Sequence, residues 1–217
     1  MVGLWWNGFV VGKLLLVWIK MVIFVVCYGC GGCVVLLCLV YIISNLNILD
    51  IMKLAIIWVG KTSTDYIGKA IDTYVQRIGH YMPIEVIEVA DVKNAKNMDV
   101  ALLRQKEGEL IVKHLRVDDY VVFLDDKGKQ MSSTEFAYWI DKQSVNSGIK
   151  RLVFVIGGAY GFSVEAYRHA KSFLSISKMT FSHQIIRPIL VEQLYRAMTI
   201  LRGEPYHHEE SLFGLKD

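Results

Sequence analysis

From Met52 onward, short apolar runs alternate with amphipathic segments, and that alternation admits few architectures. "KLAIIWVG" (Lys53–Gly60) is a continuous apolar run closed by glycine, the pattern of a strand buried on both faces. Thr64–Gly79 carries Ile67, Ile71, Tyr74, Val75 and Ile78 at helical spacing and ends on glycine. After Pro83, Ile84–Val92 alternates apolar and acidic residues like a half-exposed strand, and Met98–Leu115 reads as a charged amphipathic helix. Tyr120–Asp125 is a strand with Asp126–Lys129 as its turn. Ser132 and Glu135 form a capping box for a helix through Gln143. Arg151–Gly158 is a strand, Ser163–Ala170 a short helix, Ser172–Phe181 a last strand, and His183–Gly203 a long helix with Pro188 early in it. Strands and helices in this order predict an α/β fold, with a mostly parallel sheet and helices on both faces. Residues 52–217 read as one domain.

The first 51 residues differ in kind. Of the chain's 24 Lys+Arg and 21 Asp+Glu, only Lys13, Lys20 and Asp50 precede Met52, which leaves the body a net charge of +2. That is too weak to announce a nucleic-acid partner by itself, so a polyanion site has to be a local patch. Met21–Ile43 carries no charge and is long enough for a spanning helix. With Lys13 and Lys20 before it, such a helix would place the body outside the cytosol. The alternative is a hydrophobic extension from a misplaced start, because Met52 opens a strand and a complete domain can begin there. All four cysteines (Cys27, Cys30, Cys33 and Cys38) lie in this segment among glycines, with no soluble scaffold for a zinc or iron–sulfur site. The cysteine-free body fits a reducing compartment.

In open α/β sheets, ligands sit beyond the carboxyl ends of the strands. Three such ends look loaded: Leu124–Gly128, Gly157–Gly161 and Ser175–Phe181. The glycines read G-G-x-x-G. No acid follows about 20 residues on for a ribose, and no Gly-Lys-Ser/Thr exists for a P-loop. The turn therefore suits a ligand approached closely by backbone without phosphates, or it is a plain tight turn.

"MKLAIIWVGK", "VIGGAYG" and "LSISKMTFSHQIIRPILVEQLYRAMTILRGEPYHH" closely resemble the SPOUT-superfamily methyltransferases of bacterial ribosomes, RlmH type, from Met52 to about Glu209. The resemblance implies a deep C-terminal trefoil knot (an alpha/beta knot), a cytoplasmic homodimer with no membrane partner for residues 52–217, and S-adenosyl-L-methionine as cofactor. It further implies methylation of N3 of a pseudouridine in 23S ribosomal RNA within the assembled ribosome. The cofactor positions carried over are Leu124, Gly157, Ile176, Ser177, Lys178, Met179, Thr180 and Phe181. The chain departs from the family pattern at Ser182, where proline is expected, and at Pro188, where an aliphatic residue is expected.

Pseudouridine N3 gives up its proton only well above neutral pH, so the acceptor has to be prepared. The candidates are His183 as a proton acceptor, Arg187 as an RNA contact, and the tail residues Tyr206 and His207. His183 and Arg187 are four apart and are expected on one helix face. Glu192 and Arg196 stand at the spacing of an ion pair, and Tyr195 suits either core or a dimer interface. The six histidines show no metal-ligand spacing and no cysteine lies in the body.

Overall fold

The structure is a computed structural model, and it describes residues 52–146 and 148–207. Expectations for residues 1–51 lie outside these. The elements are β1 (Lys53–Val59), α1 (Asp65–Ile78), β2 (Ile84–Val89), a 3-10 turn (Ala95–Asn97), α2 (Val100–Val112), β3 (Asp119–Gln130), α3 (Ser133–Ser144), β4 (Arg151–Ile156), α4 (Val164–Tyr167), β5 (Ser172–Ser175) and α5 (Ile186–Arg202). The five strands form one sheet in the order β2-β1-β4-β3-β5, and every pairing is parallel.

Successive side chains on a strand face opposite ways, so each central strand supplies two cores. Leu54, Ile56 and Trp58 of β1 and Leu152, Phe154 and Ile156 of β4 pack with Ile67, Ile71 and Ile78 of α1, Phe136 and Ile140 of α3, and Leu190, Leu194 and Met198 of α5. Ala55, Ile57, Val153, Val155 and Phe123 pack on the other side with Ile111 of α2 and Ala166 of α4. Helices therefore cover both faces, as the alternation predicts. The continuous apolar runs of β1 and β4 follow from this: each residue of β4 is buried, and all but the ion-paired Arg151 are apolar.

The strands' amino ends are clamped by one arginine. Arg151 opens β4, and its guanidinium donates to both carboxylate oxygens of Asp119 on β3 at 2.8 and 2.6 Å. It also donates to Glu85 of β2 at 2.5 Å and to the His114 carbonyl at 2.8 Å. The capping box of α3 forms as expected, with Ser132 Oγ accepting from Glu135 N and Glu135 accepting from Ser132 N.

Several boundaries move. The Asp126–Lys129 stretch is not a simple turn: β3 runs on to Gln130, and a bulge between Leu124 and Lys129 lets both residues pair with Leu174 of β5. Gly128 makes this possible, because a Cβ there would stand 2.7 Å from the Leu174 backbone. β5 ends at Ser175, where the polar run Ser175–Thr180 turns on its own side chains: Ser175 Oγ donates to the Ser177 carbonyl and Ser177 Oγ accepts from Met179 N. The long helix starts at Ile186 rather than His183, so His183 and Arg187 do not share a helix face. Pro188 falls in its first turn, where a missing N–H costs little. Ser182 opens the approach to α5, its hydroxyl accepting from Gln184 N and its carbonyl from Ile186 N.

Candidate cofactor cleft and its surroundings

The carboxyl ends of β3, β4 and β5 surround a cleft of about 490 Å³. Leu124, Ile156, Leu174, Ile176, Met179, Phe181 and Ile186 give it apolar walls, and Gly157, Gly158 and Gly161 give it a backbone floor. Of the eight cofactor positions expected from the resemblance, Leu124, Gly157, Ile176, Ser177, Met179, Thr180 and Phe181 line this one cleft, and His183 joins them. Lys178 does not line it; it is exposed beyond the rim.

The glycine turn is both a tight turn and a floor. Gly161 has φ +77°, and its N–H donates to the Gly158 carbonyl at 3.2 Å. Gly157 and Gly158 are glycine because of what lies beneath them. A Cβ on Gly157 would press on the Phe162 ring at 3.1 Å, and one on Gly158 would meet the Glu107 carboxylate at 2.5 Å. A side chain at Gly157 would thus act on the cleft by displacing Phe162, itself a lining residue. Glu107 was not foreseen from sequence. It is 8% exposed, its Oε2 has no hydrogen-bond partner, and burial together with the nearby Asp91 raises its pKa.

At the rim, Asp125 accepts from the Tyr167 hydroxyl and from Lys127 N. Partial burial opposes ionisation, but these bonds outweigh it and hold the carboxyl below its ordinary range. Burial and the same contact push the Tyr167 hydroxyl up to about 12.

Arg187 corrects an expectation. It is fully buried and is not presented to RNA. Nε donates to the His183 carbonyl at 3.0 Å, Nη1 to Thr62 Oγ1 at 3.0 Å and Nη2 to the Val59 carbonyl at 2.7 Å. The guanidinium lies 5.1 Å from the centre of the Trp58 ring. Desolvation lowers its pKa, against the pull of Glu88 and Asp91. Gln184 works beside it, donating to the Lys61 carbonyl at 3.1 Å and accepting from Ser63 N at 3.4 Å. Together they staple the segment carrying His183 to the loop after β1. An arginine four residues from a histidine gave no sign in sequence that it faced inward.

Tyr206 and His207 do not line the cleft in their own chain. The tail folds onto α1 and α5 instead. The Tyr206 hydroxyl lies 3.3 Å from that of Tyr74 and donates to Glu192 at 3.2 Å, and its ring packs edge-on against Tyr195. Burial and the Tyr74 and Glu192 contacts raise its pKa. Arg196 forms the expected pair with Glu192 at 2.5 Å, half-buried rather than solvated, and lies over the Tyr206 ring and 3.5 Å from His207 Nδ1. Among the described residues no group of three or more His, Cys, Asp or Glu is placed to hold a metal ion, and no helix is long and apolar enough to cross a membrane.

The residues present fit S-adenosylmethionine. An apolar slot with a glycine floor accepts a flat adenine, and the carboxylates at the rim suit a cationic group. Comparison with known proteins points to a methyltransferase. Residues 52–207 match the family model described as Predicted SPOUT methyltransferase. The chain is 51% identical over 158 residues to a protein of Parabacteroides distasonis named Ribosomal RNA large subunit methyltransferase H, covering 73% of this chain and 100% of that one. A protein of the same name from Bacteroides fragilis is also 51% identical with the same coverage, and one from Christiangramia forsetii is 48% identical over 157 residues, 72% of this chain and 99% of the relative. The chain belongs to the SPOUT methyltransferase family, in the branch of ribosomal RNA large subunit methyltransferase H.

Proposed function

We propose that this protein is an S-adenosylmethionine-dependent methyltransferase that modifies N3 of a pseudouridine in 23S ribosomal RNA, acting as a homodimer. The observation that carries the reading is a single cleft at the ends of β3, β4 and β5, lined by seven of the eight expected cofactor positions, in a chain half identical to relatives named for large-subunit ribosomal RNA methylation. When bound, the cofactor supplies a methyl group on a sulfonium, a good leaving group. The chain's task is to hold the acceptor in line and prepare its nitrogen. His183, half-buried at the rim, has an imidazole able to receive the N3 proton.

Tyr206 and His207 serve the RNA side from the second subunit. In their own chain they lie on α1 and α5, outside the cleft, while the cleft lining exposes Met179 and Phe181 to whatever covers it. A second copy brings both a cover and a second set of cations, which steepens the salt dependence of RNA binding. The knot belongs to the same reading. Its support is the match of residues 52–207 to the SPOUT methyltransferase family model.

The test uses ribosomes from cells lacking the modification, incubated with the full-length protein and labelled S-adenosylmethionine, with the product mapped by mass spectrometry. Label on one pseudouridine N3 of 23S RNA is expected. No transfer, or transfer to another nucleotide, overturns the assignment.

A further inference from the structure

We propose that Asp125 and Asp126 make the cleft charge-selective, favouring the sulfonium cofactor over the neutral thioether left after methyl transfer, and so promote product release. The inference rests on the cofactor assigned above. Among the described residues, these aspartates and His183 are the only ionisable ones lining the cleft, and no lysine or arginine lines it. Asp125 is held in place and ionised by the Tyr167 hydroxyl and Lys127 N, while Asp126 is exposed. The cations near this pair, Lys127 and Arg104, as well as Lys178 on the neighbouring loop, stand outside the lining.

The reaction changes the ligand by one charge at one atom. The sulfur–methyl bond breaks and its electron pair stays on sulfur. The nitrogen–methyl bond forms, and the N3 proton passes to a base or solvent. S-adenosylmethionine thereby becomes S-adenosylhomocysteine, with the same adenosine, ammonium and carboxylate but without the sulfonium charge. A fixed anionic rim attracts the first more than the second, while the apolar walls treat both alike. In a half-exposed site each carboxylate should contribute roughly three- to tenfold to the preference. The same anions repel RNA phosphates, so phosphate contacts have to come from outside the cleft.

The test is calorimetric titration of the full-length protein with S-adenosylmethionine, S-adenosylhomocysteine and sinefungin, which carries an amine cation in place of the methylated sulfonium. Wild-type protein should bind the two cationic ligands more tightly than the thioether, with a preference that shrinks as salt rises. Asp125→Asn and Asp126→Asn should each reduce the preference by roughly threefold or more, chiefly by weakening the cationic ligands. Asp126→Asn carries the test if losing the Tyr167 contact disturbs the fold of the other variant. Retained binding with an unchanged preference in Asp126→Asn and in any folded Asp125→Asn overturns the proposal. Binding of none of the three ligands by wild-type protein overturns the cofactor assignment instead.

Discussion

Replacing Arg187 with lysine keeps the charge and removes the planar fork. In the structure that fork reaches three acceptors on separate segments: His183, Thr62 and Val59. A single ammonium on a flexible stem can satisfy one of them in that buried space and leaves about two unpaired. Hydrogen bonds to charged groups contribute about 1.5–3 kcal/mol each, so Arg187→Lys should destabilise the fold by about 3–6 kcal/mol. That is a large share of the roughly 5–15 kcal/mol typical of a folded domain. At about 2–4 °C per kcal/mol for a domain of this size, the melting temperature should fall by roughly 6–24 °C. The assay is denaturation of both proteins, followed by RNA binding across a salt series at a temperature where both are folded. Stability should drop while the salt slope of RNA binding stays the same, because a buried guanidinium neutralises no phosphate. A variant that melts like wild type but binds RNA with a shallower salt slope would refute this reasoning and return Arg187 to the RNA surface.

Glu107 gives a pH prediction. Its folded pKa is raised, so the native state holds this proton to higher pH than the unfolded chain, and stability falls as pH rises from the ordinary carboxylate range through the raised value. Glu107→Gln should flatten that part of the stability profile, and parallel profiles for the two proteins would contradict it. Removing the chain from Tyr206 should leave S-adenosylmethionine binding nearly intact and strongly reduce methylation; mixed dimers with a Gly157→Val partner should regain part of the activity if the tail acts across the dimer, and should not if each subunit is complete. A chain beginning at Met52 should fold and methylate, since the cleft and both cores described are built from Met52 and the residues after it; aggregation or inactivity of that chain would show that the first 51 residues contribute.

Much of this fold was legible because its signals are local. The runs of β1 and β4 are apolar at nearly every position, and no half-exposed element reads that way. The Ser132–Glu135 capping box needs only four residues to declare itself. What stayed hidden depends on contacts distant in sequence. β3 continues past Leu124 because β5 is there to pair with it again, and a D-K-G-K stretch taken alone reads as a turn. That seven of the eight expected positions would line one cleft was legible through a long and specific motif. Arg187 was misread because periodicity says which residues share a face but not whether a charged one has partners inside. Glu107 was missed because a glutamate among the charges of α2 looks like any solvated residue until the glycine turn is laid over it.

The Arg151 clamp has a mechanical consequence. It rivets β2, β3 and β4 together at one margin of the sheet, through two carboxylates and a carbonyl. At the opposite margin, where the cleft opens, Arg187 ties the end of β1 to the segment carrying His183, while β3, β4 and β5 are joined by glycines, a bulge and short polar turns. A sheet fastened at one margin behaves like a fan held at its pivot, so small excursions grow toward the free edge. Amide exchange should be slow at Arg151–Val153 and faster toward Gly157–Gly161, and a ligand in the cleft should slow the outer amides far more than the riveted ones.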